Sequence, residues 1–229
     1  DHRDLHSFPT RRSSDLGRPG CQYSKFRTAM KPLMLIGGGG HCKSVIEAAE
    51  SAGREILGIL DTPDKVGQKI LGYPVIGTDS DIPPLAVKAD FILTVGHIKD
   101  SSVRRNLSQL VKQAGGKLGT VIASTAHVSR HAEIGAGTVV LHGAMVNAAT
   151  VIGENCIVNT LANIEHDTEI GDFCHISTGA MVNGGCKIGH DVFLGSQSVM
   201  LNGAEIPDGC IVAAGSFVQI GRASCRERV

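Results

Sequence analysis

Tryptophan is absent from this chain, and aromatic residues of all kinds make up 3% of it. A core organised around large rings is therefore excluded. Charge of neither sign is in excess, with 22 Lys and Arg against 22 Asp and Glu, so there is no electrostatic case for a nucleic-acid partner. No apolar run is long enough to span a bilayer and no signal peptide is recognisable, so we expect a cytoplasmic protein with no membrane attachment. The seven cysteines contain no CxxC spacing, and we expect reduced, packed thiols and no metal site.

What the chain has instead is a ladder. Every sixth residue from Ile122 to Val218 is Ile, Val, Leu or Met, without one slip. The fourth residue after each of the first sixteen of these is Ala, Ser, Thr or Cys, with Val192 the one larger exception. One large and one small apolar slot per six residues is the pattern of a hexapeptide β-solenoid. If three hexads close one triangular coil, residues eighteen apart stack at about 4.8 Å. Cys156, Cys174, Cys186 and Cys210 all fall in the small slot, so packing explains them before chemistry does. We expect the preceding domain to cover the first end of this prism, whose strands would otherwise be unpaired.

Both ends of the chain read as foreign. Ile220–Val229 can be back-translated into a DNA string whose reverse complement encodes His6–Asp15, the signature of a sequencing adapter. We therefore assign residues 1–16 and 220–229 to adapter and 17–29 to an upstream non-native segment. Because the hexads are still in phase at Val218, we expect the natural chain to continue past Gln219. This leaves 30–120 and 121–219 as two domains.

In the first, Leu33–Ile36 reads as a strand running into Gly37-Gly38-Gly39-Gly40-His41, followed by a helix with Val45, Ile46, Ala48 and Ala49 on its apolar stripe. Gly53 closes that helix. Ile56–Leu60 and Phe91–Val95 read as further strands, and Val103–Gln113 as a second helix. This is a small parallel, Rossmann-like α/β domain, whose ligands belong at the carboxyl ends of its strands. The glycine loop departs from G-x-G-x-x-G, with Cys42 in the last place, so it serves equally well as a tight turn or as a phosphate cradle. Asp61, at the end of the second strand where a ribose hydroxyl would be held, weighs towards a nucleotide.

In the solenoid, polar exceptions carry the chemistry. Glu165-His166-Asp167 sets an imidazole between two carboxylates, with Gly184 one coil above and Ala148 one coil below, leaving space for a ligand. A neighbouring carboxylate makes such an imidazole a better general base. His127, His131, His142 and His190 read as surface residues, and Ser177 and Ser196 lack a His–Asp relay.

The segments IGGGGHCKSVIEAAESAG, Tyr73-Pro74-Val75-Ile76-Gly77, TVGHIKDSSVRRNL and NIEHDTEIGDFCHISTGAMVNGG together resemble the bacterial sugar acyltransferases, typified by sialic acid O-acetyltransferase and the N-acetyltransferases of UDP-linked 4-amino sugars and GDP-perosamine. The resemblance covers about Lys31–Gln219. It implies a left-handed parallel β-helix behind the α/β domain, a homotrimer with active sites between subunits, and acetyl-CoA as donor. It makes His166 the general base and Asp167 the residue that orients it. It puts His175, Gly184 and Ser196 on the acetyl-CoA, and Gly39, Gly40, His41, Asp61, Thr62 and Gly96 on the nucleotide of the acceptor. His97 departs from the Asn often found after that last glycine. The expected activity is N-acetylation of a nucleotide-linked 4-amino sugar. The alternatives are O-acetylation of a sialic acid-like sugar and, in a different class, a non-catalytic trimeric solenoid that binds without reacting. A nucleotide-dependent oxidoreductase is disfavoured by the incomplete glycine motif.

Overall fold

A computed structural model describes residues 30–219; the expected adapter and upstream segments lie outside the described residues. The first module is a six-stranded sheet of β1 (Leu33–Ile36), β2 (Ile56–Leu60), β3 (Lys69–Ile70), β4 (Tyr73–Gly77), β5 (Asp90–Leu93) and β6 (Lys117–Leu118), in the order β3-β4-β2-β1-β5-β6. All its pairings are parallel except β3 with β4. The helices are α1 (Gly40–Ser51), the short α2 (Ile82–Leu85) and α3 (Ser102–Gln113). Gly53 ends α1 in the left-handed region, φ +65°, where a side chain would be strained.

From β7 (Val121–Ile122) to β23 (Phe217–Val218), two-residue strands recur every six residues. They form three parallel faces in which each residue pairs with the one eighteen later, as Val139 with Ile157 and Met145 with Asn163. This is a left-handed parallel β-helix, outside the usual right-handed crossover rule. The first face contains β7, β10, β13, β16, β19 and β22; the second β8, β11, β14, β17, β20 and β23; the third β9, β12, β15, β18 and β21.

The two inward slots fill one continuous core, in which Ile164, Ala162, Ile176, Cys174 and Val182 are completely buried. Polar atoms in the small slot find carbonyls on the next coil: Thr138 Oγ1 donates to Gly153 O at 2.8 Å and Cys174 Sγ to Gly189 O at 2.9 Å. Thus the packed state requires no unsatisfied hydroxyl. Cys42, Cys156, Cys174 and Cys186 are free and buried, as expected of packed thiols. Cys210 also fills its inward slot, but its sulfur is disulfide-bonded rather than reduced.

From Gly137 onward each turn carries a left-handed residue at one fixed place in the hexad, among them Ala149, Asn155, Leu161, Asp167, Phe173, Asp191 and Gln197, with φ between +55° and +59°. A non-glycine residue there costs on the order of 1 kcal/mol. The cost is offset by a bond across coils from the same residue, as when Asp167 N donates to Ala148 O at 3.1 Å.

The α/β module does not merely cap the prism's first end. It lies along a side: Val45 and Ala49 of α1 share one cluster with Val121, Val139 and Ile157, which project outward from the first face. Those outward positions are apolar, so they need a lateral partner as well as an end cap. Helix α1 is thereby sandwiched between the sheet and the solenoid. Helix α3 runs along the edge between the third and first faces and clasps it with Lys112–Glu154 (2.6 Å), Arg105–Asp191 (2.5 Å) and a Ser101–Asp191 hydrogen bond. Among the described residues, no helix is long and apolar enough to cross a membrane.

Candidate active site

His166 and Asp167 occupy the turn between β14 (Asn163–Ile164) and β15 (Glu169–Ile170), on the edge between the second and third faces. The turn's left-handed residue is Asp167 itself, which swings its carboxylate back to the imidazole: Nδ1 and Oδ2 are 2.7 Å apart. With a carboxylate as acceptor, the ring proton belongs on Nδ1 and the lone pair on Nε2. That atom makes no hydrogen bond among the described residues, and the two side chains are 60% and 66% exposed.

The surroundings differ from the sequence expectation in two respects. Glu165 does not flank the imidazole; its carboxylate turns the other way and accepts from Asn147 Nδ2 (3.0 Å) and Asn163 Nδ2 (3.1 Å). Glu165 comes immediately after its strand and still follows the pleat, whereas His166 has entered the turn. Nor does Gly184 leave empty space, because the imidazole lies over it. A Cβ added at Gly184 would sit 2.7 Å from Cε1 and 2.8 Å from Nε2. Gly184 is thus the floor on which the imidazole rests.

The three residues expected to meet acetyl-CoA do not converge in one chain. Gly184 is on the edge of His166, but Ser196 is on the edge between the first and second faces, where Ser177 Oγ and Ser196 Oγ lie 2.9 Å apart. The carbonyls of Gly184 and Ser196 accept from the next coil, while their own N–H groups donate to no other described residue. His175 is on the first face in β16 (His175–Ile176), with its N–H committed to Val192 O. Its ring is buried, donating from Nδ1 to His97 O (2.8 Å), accepting from Asn159 Nδ2 (3.1 Å) and meeting Phe193 edge-on at 5.2 Å.

In the α/β module, the glycine loop is built for close approach. Gly37 has φ +106°, and a side chain on Gly38 would collide with Asp61, whose Oδ2 accepts from Gly38 N at 2.6 Å. Asp61 also accepts from Thr62 N (2.7 Å) and Lys65 Nζ (3.1 Å). Burial works to raise its pKa, but these donors hold the carboxyl below its usual range. In this structure Asp61 therefore braces the loop rather than awaiting a hydroxyl. Nothing stands within 4 Å of where a Cβ would be on Gly39 or Gly40, and α1 has no side-chain cap. Cys42 N donates to Gly39 O at 3.2 Å, while the N–H groups of Gly40 and His41 make no hydrogen bond among the described residues, and such a helix start can receive an anion.

Asp61 and Thr62 line a cavity of about 290 Å³ with Thr78, Asp79, Ser80 and Val103. Gly39, Gly40, His41 and Gly96 lie outside its lining, and a Cβ added at Gly96 would stand 3.7 Å from that of His41. His41 and His97 flank the His175 ring at 6.5 and 5.7 Å. Burial, with the nearby Arg104 charge, lowers His41 to about 3 and His97 to about 4, so both rings are neutral at physiological pH. A second, open groove of about 1100 Å³ follows the third face past Asp167, Glu169, Lys187 and Gly203. Among the described residues no cluster of His, Cys, Asp or Glu could hold a metal ion.

Two features escaped the sequence reading. Asn159 holds His175, and nothing in its spacing marks it. Arg104 is completely buried, and here a signal existed: with Leu107 and Val111 it falls on the buried stripe of α3, where a charge is out of place.

Comparison with known proteins agrees with this architecture. The PglD N-terminal domain family matches residues 32–111. The bacterial transferase hexapeptide (six repeats) matches 149–184, and the hexapeptide repeat of succinyl-transferase 185–219. The acetyltransferase domain of PglB from Neisseria gonorrhoeae FA1090 is 31% identical, with 85% of this chain and 94% of that one covered and a TM-score of 0.76; a structure of that domain has been solved with acetyl coenzyme A. PerB from Caulobacter crescentus, solved with CoA and GDP-perosamine, is 31% identical over 84% of this chain and 93% of that one, with a TM-score of 0.75. A curated relative, the uncharacterized protein L142 of Acanthamoeba polyphaga mimivirus, is 35% identical over 126 residues, which cover 55% of this chain; the match spans about a quarter, 24%, of that protein's length. The chain thus belongs to the hexapeptide-repeat sugar acyltransferases in which a PglD-type domain precedes a left-handed β-helix, and it is an enzyme of the acyltransferase class.

Proposed function

We propose that this enzyme transfers the acetyl group of acetyl-CoA to the 4-amino group of a nucleotide-linked amino sugar, with His166 as general base. The observation that carries the reading is the exposed imidazole whose Nδ1 is fixed by Asp167, leaving Nε2 free. The sugar amine attacks the thioester carbonyl carbon while Nε2 accepts the proton that the nitrogen loses. The C–S bond breaks, and the departing thiolate takes that proton back from the imidazolium. Asp167 favours the charged ring formed midway and fixes its orientation. Complexes of similar proteins with acetyl coenzyme A and with GDP-perosamine support the donor and the substrate class.

The assembly we infer is a homotrimer. His166 and Gly184 sit on one edge of the prism and Ser196 on another, so apposed copies would bring the two halves of a donor site together. The second face supports this, since its outward row exposes Met145, Met181 and Phe217. With acetyl-CoA as donor, the reaction belongs in the cytoplasm.

The test is turnover of acetyl-CoA with a UDP-linked 4-amino sugar, GDP-perosamine or free sialic acid. Amide formation with either nucleotide sugar is expected. His166→Ala should then lower kcat by roughly two to four orders of magnitude. Turnover of sialic acid alone would make the enzyme an O-acetyltransferase, and turnover of none would overturn the reading.

A further inference from the structure

We propose that Arg104 is a positioning residue for the acceptor: its guanidinium fixes the loop after β5, and with it Gly96, at a set height against the solenoid. The inference rests on the proposed function insofar as Gly96 is taken to meet the acceptor.

Arg104 is completely buried. Nη1 donates to the carbonyls of Leu93 (2.9 Å) and Val95 (2.6 Å), and Nη2 to that of Asn155 (2.8 Å). The first two carbonyls belong to the carboxyl end of β5 and its following loop; the third belongs to a solenoid turn. No carboxylate pairs with the guanidinium among the described residues. Burying a cation without a counter-ion is costly, and a neutral amide could bridge two carbonyls at far smaller desolvation cost. What arginine adds is a rigid planar fork that addresses three carbonyls in fixed directions.

The surrounding seam has the right pitch for such a clamp. Asn155, Phe173 and Asp191 are eighteen residues apart and occupy the same place in successive turns, each with positive φ. Helix α3 meets all three: Ser101 and Arg105 at Asp191, Arg105 over the Phe173 ring at 4.3 Å, and Ser108 at Asn155. Seven helical residues from Ser101 to Ser108 rise about 10.5 Å, and two coil spacings are about 9.6 Å. Helix and prism therefore stay in step, with Arg104 beside the inner end of the seam. The loop is pinned from the solenoid side as well, since His97 O accepts from His175 Nδ1. Arg104 also helps to keep His41, His97 and His175 uncharged.

The experiment compares Arg104→Lys, which keeps the charge but loses the fork, and Arg104→Gln, which keeps two N–H donors, with Lys112→Ala, which opens only the outer clasp. After melting curves confirm the fold, KM is measured separately for acceptor and acetyl-CoA. Either folded Arg104 variant should show acceptor KM raised about tenfold, the worth of one charge-assisted hydrogen bond. The acetyl-CoA KM should stay within twofold of wild type, and Lys112→Ala should change neither. Hydrogen exchange at the amides from Val95 to Ile98 should quicken in the Arg104 variants. That readout needs no substrate, so it distinguishes failure of this proposal from failure of the proposed function. Equal rises in both KM values, or an unchanged acceptor KM and unchanged exchange, would overturn the inference. So would loss of fold in both variants, which would make Arg104 a stabilising residue only.

Discussion

The contact between Gly184 and His166 gives the sharpest test of the active site. In Gly184→Ala the new methyl carbon would stand 2.7 Å from Cε1, 2.8 Å from Nε2 and 3.2 Å from Nδ1 of the imidazole. Ordinary carbon contacts begin near 3.5 Å, so the ring must move by about 1 Å. The backbone at Gly184 is not left-handed, so alanine brings no conformational strain there. The imidazole is 60% exposed and can swing into solvent, which keeps the effect on stability within roughly 0.5 kcal/mol. The swing breaks the Asp167 contact and moves Nε2 away from the amine of the proposed reaction. A displacement of this size lowers the rate by about a hundredfold. The assay is a double-mutant cycle with acetyl-CoA and the acceptor: Gly184→Ala, His166→Ala and both together. If alanine acts through the imidazole, it should cost about a hundredfold in wild type and almost nothing once His166 is gone. Equal losses in the two backgrounds would show that Gly184 acts independently of His166, and an undiminished kcat would refute the packing argument.

Other consequences are open to measurement. Asp167→Asn should lower kcat by roughly one to three orders of magnitude with the melting temperature unchanged, because it weakens support for the imidazolium; an unaltered rate would remove Asp167 from the mechanism. His41 and His97 are held neutral in the fold, at about 3 and about 4, from an ordinary value of 6.5. Below pH 6.5 the unfolded chain binds protons that the native state refuses, so stability should be intact above that pH and fall as pH drops towards 4, by up to about 1.4 kcal/mol per pH unit for each ring. Denaturant midpoints between pH 8 and 4.5 would show the slope, His97→Asn should flatten it, and a level profile would contradict the burial of these rings. Ala162→Leu, in a completely buried small slot, should cost about 1–3 kcal/mol by overpacking, whereas Asp191→Ala, at a partly exposed pair, should cost about 1 kcal/mol or less. Urea titration of both separates core from surface.

The solenoid was legible from sequence because each hexad repeats one local arrangement, so burial period and strand register are the same information. The Cys residues in the small slots, the α/β alternation and the His166–Asp167 pair followed from local spacing in the same way. What did not follow depends on which element buries which. Arg104 and Arg105 are adjacent and chemically identical, yet one is sealed against Asn155 and the other lies on the surface beside Asp191. Helical period marks Arg104 for burial with Leu107 and Val111, but which carbonyls receive it is set by the docking of α3. Glu165 and Asp167 stand symmetrically about His166 in sequence, but the strand ends between them, so one follows the pleat and the other takes the left-handed turn. The ring of His175 is likewise explained by a loop 78 residues away.

The lateral contact of α1 has a consequence for engineering. A chimera joined at the passage into the solenoid would give the new α/β module a helix unmatched to Val121, Val139 and Ile157. Those three residues belong to the solenoid by sequence and to the α/β module by packing. A graft of that module should therefore carry the outward row of the first three first-face strands with it. Unfolding, too, should begin at coils remote from α1, because the nearer ones melt only when the sheet does.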